Sequence, residues 1–436
     1  MLSGIQCLGR YTVTALFWMF CLYLCSCAKN TAVLDSANSG QHPEELVIEV
    51  PNENNDDLTT EGSVDLEVVV PPETDDSEDT APEEYLAQSL TTPDAFRMPV
   101  LGKSSDTSCS HFPTPYTGAM VFPSKYEGSD SSRDEINEDA EALYLELTES
   151  IKALEKNAAQ WAGDYLMGDL IARDCALSMM QEWAVANALL GDANNMGQSV
   201  RKWSLSVLAN VYLQLTRPLN APPVPPAQKE LIESWFLKMA EDAVVYYSDR
   251  PLDKVNNHDY WAAWAVMAVS VIVNRQDLFD WSKAKLEEGI GQITESGYLP
   301  NELRRETRAL SYHNYAMQPL TWLAVFTEAN GAELSESQQL ALYRLAQRTV
   351  EGLQRPDAFQ ELTGYEQYID GVITSYNLAW LEIWVSHFDA MQGMDTLLSS
   401  NRPMKSTRLG GNVSILFSAV SGRSEKPFPK LRLSSD

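Results

Sequence analysis

The sequence predicts an all-α fold, in one large domain built of antiparallel helical hairpins. After residue 107, apolar residues recur at intervals of three and four along most of the chain, which is the period of an amphipathic helix. Strand-like alternation and hairpin dipeptides are scarce, and segments rich in proline and glycine separate the periodic stretches. Helices of middle length with short connections pack as hairpins, either in an open solenoid or in a closed α/α toroid.

The periodic stretches follow one another within residues 107–436, and 330 residues are enough for one large barrel or toroid. Breaker segments such as RPLNAPPVPPAQ, ESGYLPN and EANGAE lie between them. The predicted helices cover residues 135–161, 176–190, 198–215, 228–247, 260–273, 320–329 and 338–353.

The first 27 residues have the pattern of an export signal. Arg10 precedes the apolar run TALFWMFCLYLC, which is too short and too weakly flanked for a membrane span. The run ends in Leu24-Cys25-Ser26-Cys27, which resembles the lipobox of bacterial lipoproteins. We therefore expect an exported protein, in the periplasm or at the outer membrane, with a lipid anchor on Cys27. The alternative is an ordinary cleaved signal.

Residues 28–106 predict an acidic linker. They contain 19 acidic and 3 basic residues, hence a net charge of −16, in runs such as PNENNDD and PPETDDSEDTAPEE. Such a segment buries too little apolar surface to offset its chain entropy. We therefore expect it to be disordered and to connect the anchor to the domain.

Cys109 and Cys175 are the two cysteines beyond the leader, and in an exported domain they predict a disulfide that ties the domain's start to its second or third helix. The sequence has no G-x-S-x-G elbow, phosphate-binding glycine loop, H-E-x-x-H motif or cysteine cluster. These absences argue against a serine hydrolase, a nucleotide-binding protein and a metalloprotease. We expect a monomer without metal, cofactor or nucleic-acid partner.

Candidate site residues first appear in the block VNNHDYWAAWAVM, residues 255–267. In a helix, Asn257 and His258 project to the same side as Trp261, so the indole could stack on a sugar ring while Asn257 and His258 contact its polar edge. The alternative is a buried helix with a packing histidine, in which the Asn-Asn pair is only a cap.

A second block, LPNELRRETRALSYHNYA at residues 299–316, adds basic and phenolic groups and a second histidine, His313. Arg305, Arg308 and Tyr312 are spaced i, i+3 and i+7, which puts them on one helical face, with Tyr315 three residues further on. A guanidinium beside Tyr312 lowers the pKa of the phenol toward useful basicity.

Asn, His, Arg and Tyr without a metal suit β-elimination on a uronic acid polymer. The proton on C5 becomes acidic when the neighbouring carboxylate is neutralised, and Arg, Asn and His stabilise the charge that develops there. A tyrosinate or a neutral histidine then takes the proton, and a tyrosine hydroxyl protonates the leaving glycosidic oxygen.

At these residues the chain resembles the mannuronate-specific alginate lyases, polysaccharide lyase family 5. The resemblance covers nearly all of residues 108–417, in order. Its motifs are NNHDYWAAWAVM, RQDLFDW, LPNELRRETRALSYHNYA, CSHFPTPYTG, VFPSKYEGSDSSR, SVRKW and RLGG. It implies an incomplete α/α toroid, a tunnel-like cleft for the polymer and a Cys109–Cys175 bridge.

The resemblance also implies roles for individual residues in cleaving poly-β-D-mannuronate. Asn257, His258 and Arg305 would hold the carboxylate, while Tyr312 would act as acid and, on mannuronate, also as base; the alternative makes His258 the base. The residues implied or expected to bind substrate are Ser124, Lys125 and Tyr126 on a lid loop, together with Asn195, Trp261 and Tyr315.

Two departures from the family's pattern concern the site. The family usually has serine where this chain has Asp259, a carboxylate that we expect to raise the pKa of His258. Ahead of SVRKW the family tends to have His-Thr, whereas this chain has Asn195-Met196, which changes the contacts at that subsite.

Net charge and two acidic side chains bear on the rival functions. The domain's own charge of −14 requires a local basic patch in the cleft if the substrate is a polyanion. The residues expected to form it are Lys125, Arg201, Lys202, Arg305 and Arg308. The alternatives to a lyase are a glycoside hydrolase that uses Asp259 and Glu302, and a non-catalytic polysaccharide-binding protein of the envelope.

Overall fold

The computed structural model describes residues 89–105, 107–109, 112–126, 128, 133 and 135–418. The predicted export signal, the lipidation of Cys27 and the linker as far as residue 88 lie outside these residues. Within them, none of the helices is both long enough and apolar enough to cross a membrane.

The described residues are mostly helical, and their strands form a single two-stranded hairpin of β1 (Lys405–Ser406) and β2 (Gly411–Asn412). The α-helices are α1 (Glu138–Leu147), α2 (Glu149–Leu166), α3 (Leu170–Val185), α4 (Asn195–Thr216), α5 (Pro226–Tyr247), α6 (Asn257–Val273), α7 (Gln276–Gly291), α8 (Pro300–Leu303), α9 (Ala309–Ala329), α10 (Glu336–Gln354), α11 (Asp357–Thr363), α12 (Trp380–His387), α13 (Met394–Asn401) and α14 (Val413–Ser418).

Consecutive helices pair as hairpins, and the hairpins form two concentric layers. The pairs are α2 with α3, α4 with α5, α6 with α7 and α9 with α10. In the inner layer α2, α4, α6, α9 and α12 contact one another in that order, and the short α14 bridges α12 back to α2. This is an incomplete α/α toroid, so the predicted fold class is confirmed.

Helix α6 is the middle helix of the inner layer and contacts α4, α5, α7 and α9. Its sequence is apolar on all sides, and nearly every residue from Asn257 to Ile272 is buried, as expected of a helix surrounded by other helices. Trp264 stacks on Trp322 of α9, with ring centroids 5.2 Å apart. This rigid packing fixes the start of α6, where the first candidate block begins.

The end of the predicted linker belongs to the folded domain, so that prediction is wrong for the described residues between 89 and 105. A short 3₁₀ turn, Asp94–Arg97, buries Ala95 and Phe96. The ring of Phe96 packs 5.5 Å from Trp322 and 5.6 Å from Phe326. These apolar side chains insert into the core, a local feature that the acidic composition of the whole segment concealed.

The predicted disulfide joins Cys109 to Cys175 on α3. It closes a loop across 66 residues, which attaches the segment before α1 to the outer layer of the toroid. The third helix is therefore the one that the bridge reaches, in agreement with the prediction.

Candidate active site

A cavity of about 1330 Å³ opens where the first turns of α4, α6 and α9 meet. Helix N-termini carry a partial positive charge, so three of them together favour an anionic ligand. The remaining walls include residues 121–126 and 128, Arg133, α1, the turn of residues 305–308, the loop of residues 368–377 and Arg408.

Nearly all the charged side chains in the described lining of this cavity are basic. They are Lys125, Arg133, Arg305, Arg308 and Arg408, and Asp370 is the sole acidic residue among the described lining residues. The chain carries a net charge of −29, so the positive potential is local to the cleft. A cleft of this kind is suited to a polyanion.

Two members of the predicted basic patch lie elsewhere, and the prediction is wrong for them. Arg201 is buried and pairs with Asp242 at 2.6 Å, while its guanidinium also donates to the carbonyls of Leu189 and Gly191. Lys202 is buried behind His258 and does not line the cavity. Both belong to α4, whose buried side chains extend beyond the face that meets the cleft.

The start of α6 is held by two independent sets of hydrogen bonds. Asn256 caps the helix. Its side chain accepts a hydrogen bond from the backbone N–H of His258 at 2.9 Å, and the Asp259 carboxylate accepts one from the backbone N–H of Asn256 at 3.0 Å. Asn257 instead donates its backbone N–H and its Nδ2 to Oε1 of buried Glu302, at 2.7 and 2.9 Å. Helix capping therefore accounts for Asn256 only. Asn257 has no part in the cap and lines the cavity.

His258 lines the cavity, and its Nδ1 faces away from it into the protein. Nδ1 lies 2.9 Å from the Nζ of Lys202 and 3.3 Å from the Oγ of Ser199. Burial and the nearby charges of Lys202 and Arg305 hold the pKa of His258 well below its usual value, so the imidazole is neutral at neutral pH.

The expectation that Asp259 raises the pKa of His258 is wrong. The Asp259 carboxylate is fully buried and accepts from Arg250 at 2.6 Å, besides its role in the helix cap. Its side chain is therefore committed to Arg250 and Asn256, and the cations around His258 outweigh it.

Arg305, Arg308 and Tyr312 do not share one helical face, contrary to the prediction. Glu306 adopts a left-handed conformation with φ of 49°, so the chain forms a 3₁₀ turn at 306–308 and α9 begins only at Ala309. Gln367 supports the turn by donating to the carbonyl of Glu306 at 2.8 Å. All three predicted side chains nevertheless line the same cavity.

The Arg305 guanidinium lies over the ring of Tyr312, 4.9 Å from its centroid. Burial nevertheless raises the pKa of Tyr312, and the opposing effect of Arg305 is smaller. The predicted lowering of this pKa is therefore wrong. Tyr312 carries its proton at neutral pH, and its tyrosinate form increases as the pH rises.

The segment expected to act as a lid contacts the second arginine. Arg308 donates from Nη1 to the hydroxyl of Tyr126 at 2.9 Å and also faces the ring of Tyr368 at 5.3 Å. Lys125 pairs with Glu141 of α1 at 3.7 Å, and Ser124 also lines the cavity. Tyr126 is thus joined to the turn of residues 305–308 through an Arg–Tyr hydrogen bond.

Two aromatic predictions have different outcomes. Trp261 is fully buried and absent from the cavity wall, so its predicted stacking on a sugar ring is wrong. It packs instead beneath Tyr315, with centroids 5.2 Å apart, and Tyr315 does line the cavity. Asn195 also lines it and accepts from the hydroxyl of Tyr246 at 2.8 Å.

His313 is a core residue and does not join the cavity. Its Nδ1 lies 2.8 Å from the carbonyl of Ala309, and its Nε2 accepts from the backbone N–H of Leu299 at 3.0 Å. Burial lowers the pKa of His313 to about 4. Both ring nitrogens form hydrogen bonds with backbone groups. His313 is therefore a packing residue, which its position in the second block did not indicate.

Arg408 is a site residue for which the sequence predicts no role, although it belongs to the RLGG motif. The β1–β2 hairpin brings it to the cavity, over the ring of Trp203 at 4.4 Å. Gly410 and Gly411 both have positive φ, and a side chain at Gly411 would meet the carbonyl of Ala159 at 2.5 Å. The glycine pair is therefore needed to place Arg408 against the toroid.

Neither carboxylate of the predicted hydrolase pair lines the cavity. Asp259 and Glu302 are both fully buried. Asp259 accepts a hydrogen bond from Arg250, while Glu302 accepts one from Asn257 and lies 3.9 Å from Arg305. They support the wall of the site from behind and do not flank a bond in the cleft.

Solved structures with the same fold identify the class. Alginate lyase A1-III from Sphingomonas species A1 superposes with a TM-score of 0.62 at 24% identity, covering 73% of this chain and 88% of that one. A variant of alginate lyase A1-III complexed with tetrasaccharide gives a TM-score of 0.64 at 22% identity, covering 79% and 92%. These similarities place the chain among the α/α toroids.

Sequence comparisons identify the family. A family model described as alginate lyase matches residues 121–359. An alginate lyase of Pseudomonas paraeruginosa is 40% identical over 329 residues, covering 73% of this chain and 88% of that protein. An alginate lyase of Azotobacter vinelandii is 39% identical over 344 residues, covering 76% and 90%. The chain belongs to the alginate lyase family.

Proposed function

We propose that the protein is an alginate lyase that cleaves poly-β-D-mannuronate by β-elimination at the 4-O-glycosidic bond. The products are oligosaccharides with 4-deoxy-hex-4-enuronosyl non-reducing ends. One observation carries the proposal: a single basic cavity brings together Asn257, His258, Arg305 and Tyr312, with the Arg305 guanidinium 4.9 Å from the Tyr312 ring centroid.

Binding comes first, and it depends on charge. The cations of the cleft attract the uronate carboxylates, while Arg305, His258 and Asn257 contact the carboxylate of the reacting residue. Among the described residues, none forms a hydrogen bond with the Nη1 of Arg408, which suits this guanidinium to hold a second carboxylate of the polymer. The tetrasaccharide bound by the alginate lyase A1-III variant supports oligosaccharide recognition in such a cleft.

Elimination then transfers one proton through Tyr312. The tyrosinate oxygen takes the C5 proton, the C5–H electrons form the C4–C5 double bond, and the C4–O4 bond breaks. In mannuronate the C5 proton and O4 lie on the same side of the ring, so the same hydroxyl returns the proton to O4. Arg305 and the neutral His258 stabilise the negative charge that develops on the carboxylate.

Two rival functions have weaker support. A glycoside hydrolase needs two carboxyl groups beside the scissile bond, and Asp259 and Glu302 are buried behind the wall. A non-catalytic envelope protein needs the basic cleft but not a tyrosine beside a guanidinium. We further propose, from the leader sequence, export to the periplasm or outer membrane with a lipid anchor on Cys27, and a monomeric state.

Substrate preference tests the specificity in this proposal. We expect initial rates on polymannuronate to exceed those on polyguluronate by at least about tenfold, because one tyrosine can serve both steps only when the proton and O4 share a side. An ultraviolet-monitored assay with both polymers at equal uronate concentration measures the ratio. Equal rates on the two polymers would contradict the mannuronate assignment.

A further inference from the structure

Lys202 lies directly behind His258, outside the cavity. It belongs to α4, one turn after the cavity residue Ser199, and its side chain is 1% exposed. Its Nζ donates to the hydroxyl of Tyr247 at 2.5 Å and lies 2.9 Å from Nδ1 of His258. A buried lysine thus contacts the inner ring nitrogen of a candidate catalytic histidine.

The hydrogen bonds of the Lys202 Nζ decide which nitrogen of His258 carries the proton. The Nζ of lysine carries several N–H donors; one is directed at the Tyr247 hydroxyl and another is available to Nδ1 of His258, which therefore accepts. Ser199 Oγ already donates to the carbonyl of Asn195 at 3.1 Å, so Lys202 is the nearer and better donor to Nδ1. A neutral imidazole with an accepting Nδ1 carries its hydrogen on Nε2.

Among the described residues around Lys202, Asp259 is the acid whose charge favours the protonated form. Burial holds the pKa of Lys202 well below its usual value; Asp259 opposes this shift, while the charges of Arg250 and Arg408 add to it. Asp259 stands where the family usually has serine, and its carboxylate is held in place by Arg250 at 2.6 Å. The substitution therefore acts on the lysine behind the histidine and not on the histidine itself.

We propose that Lys202 is a positioning residue that holds His258 as the Nε2–H tautomer, so that the imidazole presents a donor to the substrate carboxylate and cannot act as the base. This role of Lys202 rests on the proposed lyase function. In that reaction it leaves Tyr312 as the group that takes the C5 proton. His313 provides the contrast, because its Nε2 accepts from Leu299 and its Nδ1 donates to Ala309.

The test is nitrogen NMR of the full chain labelled with ¹⁵N-histidine at neutral pH. The spectrum contains five histidines, and His258 is assigned by the signal that disappears in His258→Gln. His313 serves as an internal reference for the Nδ1–H form. We expect His258 to show the Nε2–H pattern in the wild-type protein; the Nδ1–H pattern there would overturn the proposal without any need for a variant.

Lys202→Met supplies the second readout. Loss of the donor should shift His258 toward a mixture of tautomers and lower kcat/KM by about 10- to 100-fold, comparable to the loss of other groups that orient a ligating histidine. Lys285→Met is the matched control: Lys285 is also buried and near Asp259, but it pairs with Glu288 at 2.7 Å. An unchanged His258 tautomer in folded Lys202→Met would overturn the proposal.

The two proposals fail in different ways. An inactive wild-type protein with an Nε2–H His258 would refute the lyase function while supporting the tautomer assignment. An active lyase with an Nδ1–H His258 would refute the role of Lys202 alone.

Discussion

Tyr312→Phe should lose elimination activity by about 10³- to 10⁴-fold while it retains oligosaccharide binding. The substitution removes the oxygen that both takes the C5 proton and returns it to O4, and keeps the ring that faces Arg305 at 4.9 Å. The loss should fall in kcat with little change in KM, since the missing interaction acts in the transition state. Ultraviolet-monitored kinetics on polymannuronate and calorimetric titration with oligomannuronate measure the two effects.

Tyr298→Phe is the matched control for this change. Tyr298 packs against His313 and Phe359 and does not line the cavity, so its activity should stay within a few-fold of wild type. A Tyr312→Phe variant that keeps more than about a tenth of the wild-type kcat would show that another group carries the proton. A wild-type protein and variant that bind alike and both fail to cleave would identify a binding protein.

The pH profile follows from the same residue. A base acts in its deprotonated form, and burial raises the pKa of Tyr312 above that of an ordinary tyrosine. The kcat/KM of the wild-type protein should therefore keep rising on the alkaline side of neutrality, as the free enzyme forms more tyrosinate. The pKa of His258 is lowered, so a histidine base would instead give a plateau across that range.

Arg305→Ala should reduce kcat/KM by about 10²- to 10³-fold, corresponding to the loss of one charged donor from an oxyanion site. Arg305 faces the reacting tyrosine and lies 3.9 Å from Glu302, which in turn holds Asn257. Its removal thus takes away the main positive charge beside the carboxylate. Arg305→Lys should recover only part of the loss, because an ammonium lacks the bidentate geometry of a guanidinium.

The neighbouring Arg304 offers a control of the same residue type. Arg304 is exposed, donates to the carbonyl of Asp253 at 3.2 Å and does not line the cavity. Arg304→Ala should leave kcat/KM within a few-fold of wild type, with both variants checked for folding by circular dichroism. Equal losses in the two variants would contradict a specific role for Arg305.

Helical periodicity was sufficient to predict the fold, because an inner and outer layer of hairpins needs amphipathic and wholly apolar helices. It did not predict the break at Thr148, where the expected helix of residues 135–161 divides into α1 and α2. It also missed the short helices after residue 357. Those segments are held by tertiary contacts and carry too few turns for a period to emerge.

The candidate site was predicted in its composition but not in its local geometry. Asn257, His258, Arg305 and Tyr312 line one cavity, yet the left-handed Glu306 separates Arg305 from α9. A helix buried on all sides gives no sequence signal for the side that meets a cleft. The sequence therefore does not reveal that Trp261 packs in the core and does not contact the substrate. The direction of the Tyr312 pKa shift depends on burial, which spacing alone does not reveal.

The central claim is that this cleft breaks the glycosidic bond by elimination. The most direct measurement compares, in one digest of polymannuronate by the wild-type protein, the number of new reducing ends with the ultraviolet absorbance of the conjugated C4–C5 double bond. Elimination predicts one absorbing end for each new reducing end. New reducing ends without that absorbance would contradict the lyase and establish hydrolysis instead.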